Sequence, residues 1–131
     1  MGIILHIIPR IEWERALLVD GHYRADSLET EGFIHCSMPA QVASVANAFY
    51  AGAENLVLLC IDPNRVEAEV KFEPPAHVDG AAAANMQVDE SALFPHIYGP
   101  LNGNAVLLVV PFTQGSDGQF TLPPEIAALD E

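Results

Sequence analysis

The chain has 131 residues and a mass of 14.1 kDa, the usual size of one domain. Half of its residues are hydrophobic, so a core can form, and its net charge is −13. All five Lys and Arg residues lie within residues 1–71. Because an acidic protein repels phosphate backbones and anionic lipids, this balance argues against nucleic-acid or membrane partners.

The apolar runs are too short to span a bilayer, and the N-terminus lacks the basic start of a signal peptide. Cys36 and Cys60 each lie in an apolar run, which favours buried free thiols over a disulfide. We therefore predict a soluble cytoplasmic protein.

The chain begins with a predicted strand and helix. Residues 3–8 are apolar apart from His6, which is typical of a buried strand. Pro9 suits the first turn of a helix, and Gly21 is its expected C-terminal cap. The predicted inward side chains of this helix are Trp13, Ala16 and Leu17.

A second strand and helix follow a polar turn at residues 26–31. Residues 32–36 predict a short strand that contains His35. Ser37 is the expected N-cap of the next helix. The side chains at helical spacing that predict its inward face are Val42, Val45, Ala46 and Phe49.

The second half of the chain is rich in strands. Strands are predicted at residues 56–61, 69–72 and 105–112, with a short edge strand at 119–122. Residues 73–104 are predicted to be irregular, and a loop of that length is uncommon unless it is functional. Strands outnumber helices and do not alternate regularly with them, which predicts a single-domain α+β fold with two main helices.

Three histidines are the main candidates for chemistry. His6, His35 and His96 each interrupt an apolar or aromatic stretch, whereas His22 and His77 lie in polar or Pro-rich segments and are expected to be solvated. Burying an imidazole without a partner costs about 1–3 kcal/mol, so each buried histidine needs a specific partner. Each is either a hydrogen-bonded core residue or a functional one.

His35 stands at a predicted strand-to-helix junction, where the backbone N–H groups at the start of the helix that begins at Ser37 would suit an anion. The alternative is a structural histidine beside a capped helix. His96 and Tyr98 lie two residues apart in F-P-H-I-Y-G-P-L, so in an extended segment both point to the same side. The alternative there is a rigid Pro-Gly turn whose aromatic rings cover the core.

Two other sites are less favoured. A zinc site of His6, His35 and His96 is not supported by their scattered spacing, so no metal is expected. Glu67, Glu69 and Glu73 alternate along what is predicted to be a solvated strand face.

Five motifs resemble a bacterial family, the domain of unknown function 952: I-L-H-I at 4–7, E-W-E at 12–14, E-G-F-I-H-C-S at 31–37, N-L-V-L-L at 55–59 and F-P-H-I-Y-G-P-L at 94–101. The resemblance extends over about residues 3–112. Residues 113–131 are expected to form a C-terminal turn, short strand and tail.

The resemblance implies an ADP-ribosyltransferase-like fold, in which a small split β-sheet, mixed or antiparallel, holds NAD. It is nearest to the tRNA 2′-phosphotransferase branch. By that resemblance His6 would hold the adenosine-side ribose, and His35 with Ser37 would line the nicotinamide or phosphate end. His96 and Tyr98 would stand where many transferases carry a catalytic glutamate. Arg10 would approach the cleft.

The resemblance therefore implies an NAD-dependent, transferase-like enzyme that acts on NAD or a related small nucleotide. His35, His96 and Tyr98 would be its catalytic residues, with the histidines as acid and base. One alternative is a non-catalytic module that binds a nucleotide or small molecule. Another is a hydrolase, cyclase or isomerase that uses the same residues. The lack of a basic surface argues against a tRNA substrate.

Overall fold

The computed structural model describes residues 2–74 and 93–129. Its strands are β1 (Ile4–Pro9), β2 (His22–Tyr23), β3 (Ile34–His35), β4 (Leu56–Ile61), β5 (Glu69–Glu73), β6 (Phe94–Tyr98), β7 (Leu101–Asn102) and β8 (Val106–Phe112). Its α-helices are α1 (Arg10–Val19), α2 (Ser27–Thr30), α3 (Val42–Phe49) and α4 (Pro124–Leu129). Short 3₁₀ turns occupy Pro63–Arg65 and Gly103–Ala105.

The strands form three antiparallel sheets, with the orders β1-β4-β8, β2-β7 and β3-β6-β5. One isolated bridge joins the two larger sheets, because Leu5 and Ser37 exchange two backbone hydrogen bonds of 2.8 Å. This arrangement confirms the predicted α+β class; of the expected mixed or antiparallel pairing, the described strands show antiparallel pairing, and the described residues form four α-helices where two main ones were expected.

Strand β4 is buried on both faces and separates two halves of the core. Leu56, Leu58 and Cys60 face the cluster that contains α3 and α4 residues. The alternate residues of β4 face the cluster that contains Trp13 of α1, together with side chains of β3 and β6. This period of two is what an apolar strand covered on both faces requires.

The first strand and helix confirm most of their prediction. Strand β1 turns directly into α1 at Pro9, and Gly21 follows the helix with a positive φ of 75°. Trp13 is buried and Ala16 is packed against the core, but Leu17 is 51% exposed. The predicted inward face is therefore wrong at Leu17.

The prediction that Ser37 is the N-cap of the next helix is wrong. Helix α3 begins at Val42 with Gln41 as its N-cap, because the backbone N–H and C=O of Ser37 are already used by Leu5. Val42 and Ala46 of α3 are buried, whereas Phe49 is 48% exposed. The described residues that follow His35 therefore begin no helix before Val42.

Three other segments differ from the predictions. Residues 26–31 contain the short helix α2, and the predicted irregular segment contains β6 and β7. Residues 119–122 form no strand; Phe120 instead packs in the core and exchanges two hydrogen bonds with the Asn47 side chain. The C-terminal segment is thus held by side-chain contacts. His77 lies outside the described residues.

The predicted buried thiols are confirmed, since Cys36 and Cys60 are both free and buried. Burial raises the pKa of the Cys60 thiol to about 11, and it raises that of Cys36 as well. Within residues 2–74 and 93–129, no helix has the length and apolar character needed to cross a membrane.

Candidate functional site

Strands β3 and β6 bring two of the candidate histidines side by side. His35 pairs directly with His96 in the antiparallel register, and their ring centroids are 5.7 Å apart. The neighbouring pair, Ile34 and Ile97, lies on the opposite face in the core. Alternation along the strands therefore gives this sheet one apolar face and one face that carries imidazoles.

Strand β5 adds a carboxylate to that face. Glu73 pairs with Phe94 at the start of β6, and its Oε1 accepts two hydrogen bonds. One comes from Nδ1 of His96 at 2.8 Å, and the other from the Tyr98 hydroxyl at 2.5 Å. The Glu73 side chain is 33% exposed, against 68% for Glu69 on the same strand. The prediction of a solvated strand face is wrong for Glu73.

The shared carboxylate changes the acidity of its neighbours. The hydrogen bond from Tyr98, followed by the one from His96, lowers the pKa of Glu73. The same bond to Glu73, followed by burial, raises the pKa of Tyr98. Glu73 is therefore a carboxylate and Tyr98 a protonated phenol at neutral pH, so the tyrosine is the donor.

His96 is 3% exposed and is held from two directions. Phe33 stacks on its ring, with centroids 4.1 Å apart and an interplanar angle of 23°, while Glu73 holds Nδ1. The Nε2 atom has no hydrogen-bond partner among the described residues. Every fully buried side-chain nitrogen and oxygen atom in that part of the chain has a hydrogen-bond partner. Since Nε2 has none, it is not fully buried and reaches solvent.

His35 is held by a carboxylate of its own. Its Nε2 lies 2.9 Å from Oε1 of Glu31, which is four residues earlier in the chain. The Phe33 ring meets the His35 ring edge-on at 4.9 Å. Phe33 therefore contacts both histidines and fixes their separation.

His6 connects strand β1 to this pair. Its Nδ1 lies 2.6 Å from the carbonyl oxygen of His35, and its Nε2 lies 3.4 Å from the Tyr23 hydroxyl. Burial lowers the pKa of His6 to about 4, so the ring is neutral at neutral pH. A neutral ring that donates from Nδ1 must accept at Nε2, which makes the Tyr23 hydroxyl the second donor.

These side chains line one cleft of about 560 Å³, a volume typical of small-molecule sites. His6, His35, His96 and Ser37 all contribute to its wall. Ser37 is 5% exposed, and its hydroxyl has no hydrogen-bond partner in the described part of the chain. The structure thus brings four of the six predicted site residues together.

The other two predicted residues lie differently. Tyr98 does not line the cleft; it contacts Glu73 and Phe33, which both contact His96. Arg10 is exposed and is not part of the cleft wall; its backbone N–H bonds to Asn55.

The cleft wall contains carboxylates and no Lys or Arg side chain among the described residues that form it. Glu12 and Asp26 line it near Tyr23, whose pKa is raised mainly by burial and also by these two charges. Within the described ranges, no three His, Cys, Asp or Glu side chains are arranged so that they could hold a metal ion. The wall therefore offers imidazole, hydroxyl and carboxylate groups to a ligand.

Sequence reasoning missed Glu31, Phe33, Tyr23 and Glu73. Glu31 and Phe33 lie inside the E-G-F-I-H-C-S motif, close to His35 in the sequence. Reasoning from neighbouring residues could therefore have identified them. Glu73 carries no such signal, because it is 23 residues away from His96 and meets it only through the pairing of β5 with β6.

Comparisons with known proteins agree with this fold. The profile of a family described as "Protein of unknown function (DUF952)" matches residues 7–109. No curated protein matches the chain.

Solved structures of protein CC0527 from Caulobacter crescentus are similar to the chain. The crystal structure is 27% identical, covers 95% of this chain and 98% of its own, and superposes with a TM-score of 0.76. The crystal structure of a double mutant of the same protein superposes with a TM-score of 0.75. The solution NMR structure of CC0527 superposes with a TM-score of 0.65; it is 25% identical and covers 96% of this chain and 97% of its own.

Proposed function

Because the chain belongs to the DUF952 family, whose description states no function, we propose a function from its own site: the cleft binds NAD or a related small nucleotide and acts on it by acid–base chemistry. His96 is the general base in this proposal, and His35 donates a hydrogen bond to the leaving nicotinamide, which departs as a neutral ring and takes up no proton. Ser37 binds the ligand through its hydroxyl.

The observation that carries the proposal is the unpartnered Nε2 of His96 at the cleft. A neutral imidazole that donates from Nδ1 to Glu73 presents a lone pair at Nε2, which is what a general base requires. The His35 ring, 5.7 Å away, is close enough to act on the same small ligand. A base and a hydrogen-bond donor that serve one substrate must lie this close together.

The nucleotide assignment rests on the expected ADP-ribosyltransferase-like arrangement. Its support is a pair of antiparallel sheets that meet at the Leu5–Ser37 bridge, with one histidine on the first strand. His6 acts in this proposal through Tyr23, whose hydroxyl faces a ribose. Arg10 lies away from the wall, so any contact with the ligand would be with a part that extends beyond the cleft.

The proposed reaction breaks the bond between ribose C1′ and nicotinamide N1, and the electron pair leaves with nicotinamide. An acceptor hydroxyl, or water, bonds to C1′ and gives its proton to Nε2 of His96. Because the described wall has carboxylates and no Lys or Arg, it suits the cationic nicotinamide end better than the pyrophosphate. We therefore place the phosphates outside the cleft.

The same wall favours a second candidate. Glu12 and Asp26 would attract a neutral or cationic small molecule without phosphates, on which the histidines would act as in a hydrolase, cyclase or isomerase. A non-catalytic module that binds such a molecule would share the cleft and differ only in the absence of turnover.

Nicotinamide release from NAD tests the first proposal. The wild-type protein, His96→Ala and the control His22→Ala are compared with water and with small alcohols as acceptors; His22 lies outside this cleft. We expect turnover in wild type and in the His22 variant, and its loss in the His96 variant. Absence of turnover above the His96 variant overturns the assignment.

A thermal-shift series with NAD, nicotinamide and small cationic amines separates the candidates. A ligand at 100 times its Kd stabilises the fold by about 2.7 kcal/mol. Stabilisation by amines but not by NAD favours the second candidate.

A further inference from the structure

We propose that Glu73 is a positioning residue that fixes the proton of the His96 ring on Nδ1, and that Tyr98 holds the Glu73 carboxylate in place. The sequence motif around His96 contains no acid, and the pairing of β5 with β6 supplies one. The consequence for catalysis rests on the proposed function, but the effect on the ring does not.

Two donors converge on one oxygen of Glu73. Nδ1 of His96 lies 2.8 Å from Oε1, and the Tyr98 hydroxyl lies 2.5 Å from the same atom. Hydrogen bonds to an ionised acceptor are shorter and stronger than neutral ones. A carboxylate held by two such bonds cannot rotate freely, so it defines the direction of the Nδ1–H bond.

The position of the proton decides what His96 can do. The nitrogen that carries the proton of a neutral imidazole is set by the hydrogen bond made by the ring. With Nδ1–H bound to Glu73, Nε2 is the basic atom; it is also the ring nitrogen that reaches solvent, and His96 lines the cleft. Without the carboxylate, the proton is free to move to Nε2, which removes the lone pair from the cleft.

Phe33 supports the same orientation from the other side. Its ring stacks on His96 at 4.1 Å and lies 5.3 Å from the Tyr98 ring. The imidazole therefore has little room to turn over when its partner is removed. This is why we expect a change in proton position rather than a ring flip.

Glu69 provides a matched control for Glu73. Both are glutamates on β5, and both pair with residues of β6, but Glu69 is 68% exposed and has Lys71 as its charged neighbour at 3.9 Å. Glu69→Ala removes the same charge from the same strand without removing a partner of His96. A purely electrostatic or strand-packing effect would appear in both variants.

The test is ¹⁵N NMR of histidine-labelled protein without any ligand, above the pH range in which imidazoles are protonated. We expect a protonated Nδ1 and an unprotonated Nε2 for His96 in wild type and in Glu69→Ala. Glu73→Ala is expected to shift the proton toward Nε2. A wild-type ring with its proton on Nε2, or an unchanged ring in Glu73→Ala, overturns the proposal.

A second variant keeps the test decisive if Glu73→Ala does not fold. Glu73→Gln preserves the shape of the side chain and removes its charge, so we expect a mixture of the two proton positions. An unchanged Nδ1–H signal in this variant would contradict the need for a carboxylate. Amide spectra of each variant establish whether the fold is intact.

The activity assay separates this proposal from the proposed function. If nicotinamide release is found, Glu73→Ala should lower kcat by on the order of 100-fold with little change in KM, because the base loses its orientation. If no release is found, the NMR result still decides whether Glu73 positions the ring. Equal losses in Glu69→Ala and Glu73→Ala would contradict a positioning role.

Discussion

His6 donates its Nδ1–H to the carbonyl oxygen of His35 over 2.6 Å, which ties the first strand of one sheet to the first strand of the other. The contact lies beside the Leu5–Ser37 bridge, where the two sheets meet. Burial keeps the His6 ring neutral, with a pKa of about 4. The join between the sheets therefore depends on an uncharged imidazole.

Acid should weaken the fold through His6. Its folded pKa of about 4 lies below the unfolded value of 6.5, so the unfolded chain gains a proton first as pH falls. The contribution of His6 to the free energy of unfolding is therefore fully present above the unfolded pKa, and it is lost as pH falls through 6.5 toward 4. Urea unfolding should show a loss of about 2 kcal/mol between about pH 7.5 and pH 5 from this residue alone.

His6→Asn keeps a donor near the His35 carbonyl but cannot titrate, so its stability should fall less over that pH interval. His22→Asn is the control, because the His22 side chain is 38% exposed. Equal pH dependence in wild type and His6→Asn would contradict the assignment of the loss to His6.

Tyr98→Phe should raise the pKa of the Glu73 carboxyl. The Tyr98 hydroxyl makes the largest contribution to the lowered pKa of Glu73, and the phenylalanine ring cannot donate the bond. A ¹³C NMR titration of the Glu73 carboxyl carbon measures this directly. Glu69 in the same spectra is the reference, and a Glu73 titration that does not move in the variant would refute the shared-carboxylate geometry.

Phe33→Leu should destabilise the fold and loosen the His96 ring. The substitution removes the ring contacts at 4.1 Å to His96 and 4.9 Å to His35, and such contacts contribute about 0.5–1.5 kcal/mol each beyond area burial. Urea unfolding measures the loss. Phe49→Leu, at a ring that is 48% exposed, should change stability much less, and the reverse order would contradict the packing role.

Gly103→Ala should destabilise the connection between β7 and β8. A Cβ atom at this position would lie 2.9 Å from the carbonyl oxygen of Gly21, which accepts a hydrogen bond from the Gly103 N–H. Because this oxygen belongs to the backbone, it cannot move aside as the end of a side chain can. We expect the substitution to lower the free energy of unfolding by about 1–3 kcal/mol. Gly2→Ala, with nothing within 4 Å of its Cβ, is the control, and equal thermal midpoints would contradict this prediction.

Local pattern was sufficient for the parts of the fold that depend on neighbouring residues. The apolar run of β4 predicted a buried strand, and the spacing of His96 and Tyr98 predicted side chains on the same side. Both follow from the period of two in an extended chain.

Partners from distant strands were beyond such arguments. Glu73 was predicted to be solvated because it alternates with Glu69 along one strand. That sequence pattern is the same whether or not β6 lies beside the strand. Ser37 looked like a helix cap because nothing near it in the chain indicates that Leu5 would take its backbone groups. In both cases a tertiary hydrogen bond overrides a local preference.

The central claim is that the cleft lined by His6, His35 and His96 binds NAD or a related small nucleotide, and an NAD titration of ¹⁵N-histidine-labelled protein tests it most directly. We predict saturable shifts of the His35 and His96 ring signals, a smaller shift of His6, and no shift of His22. Signals of His35 and His96 that stay unchanged at saturating NAD, or that move no more than His22, would contradict it.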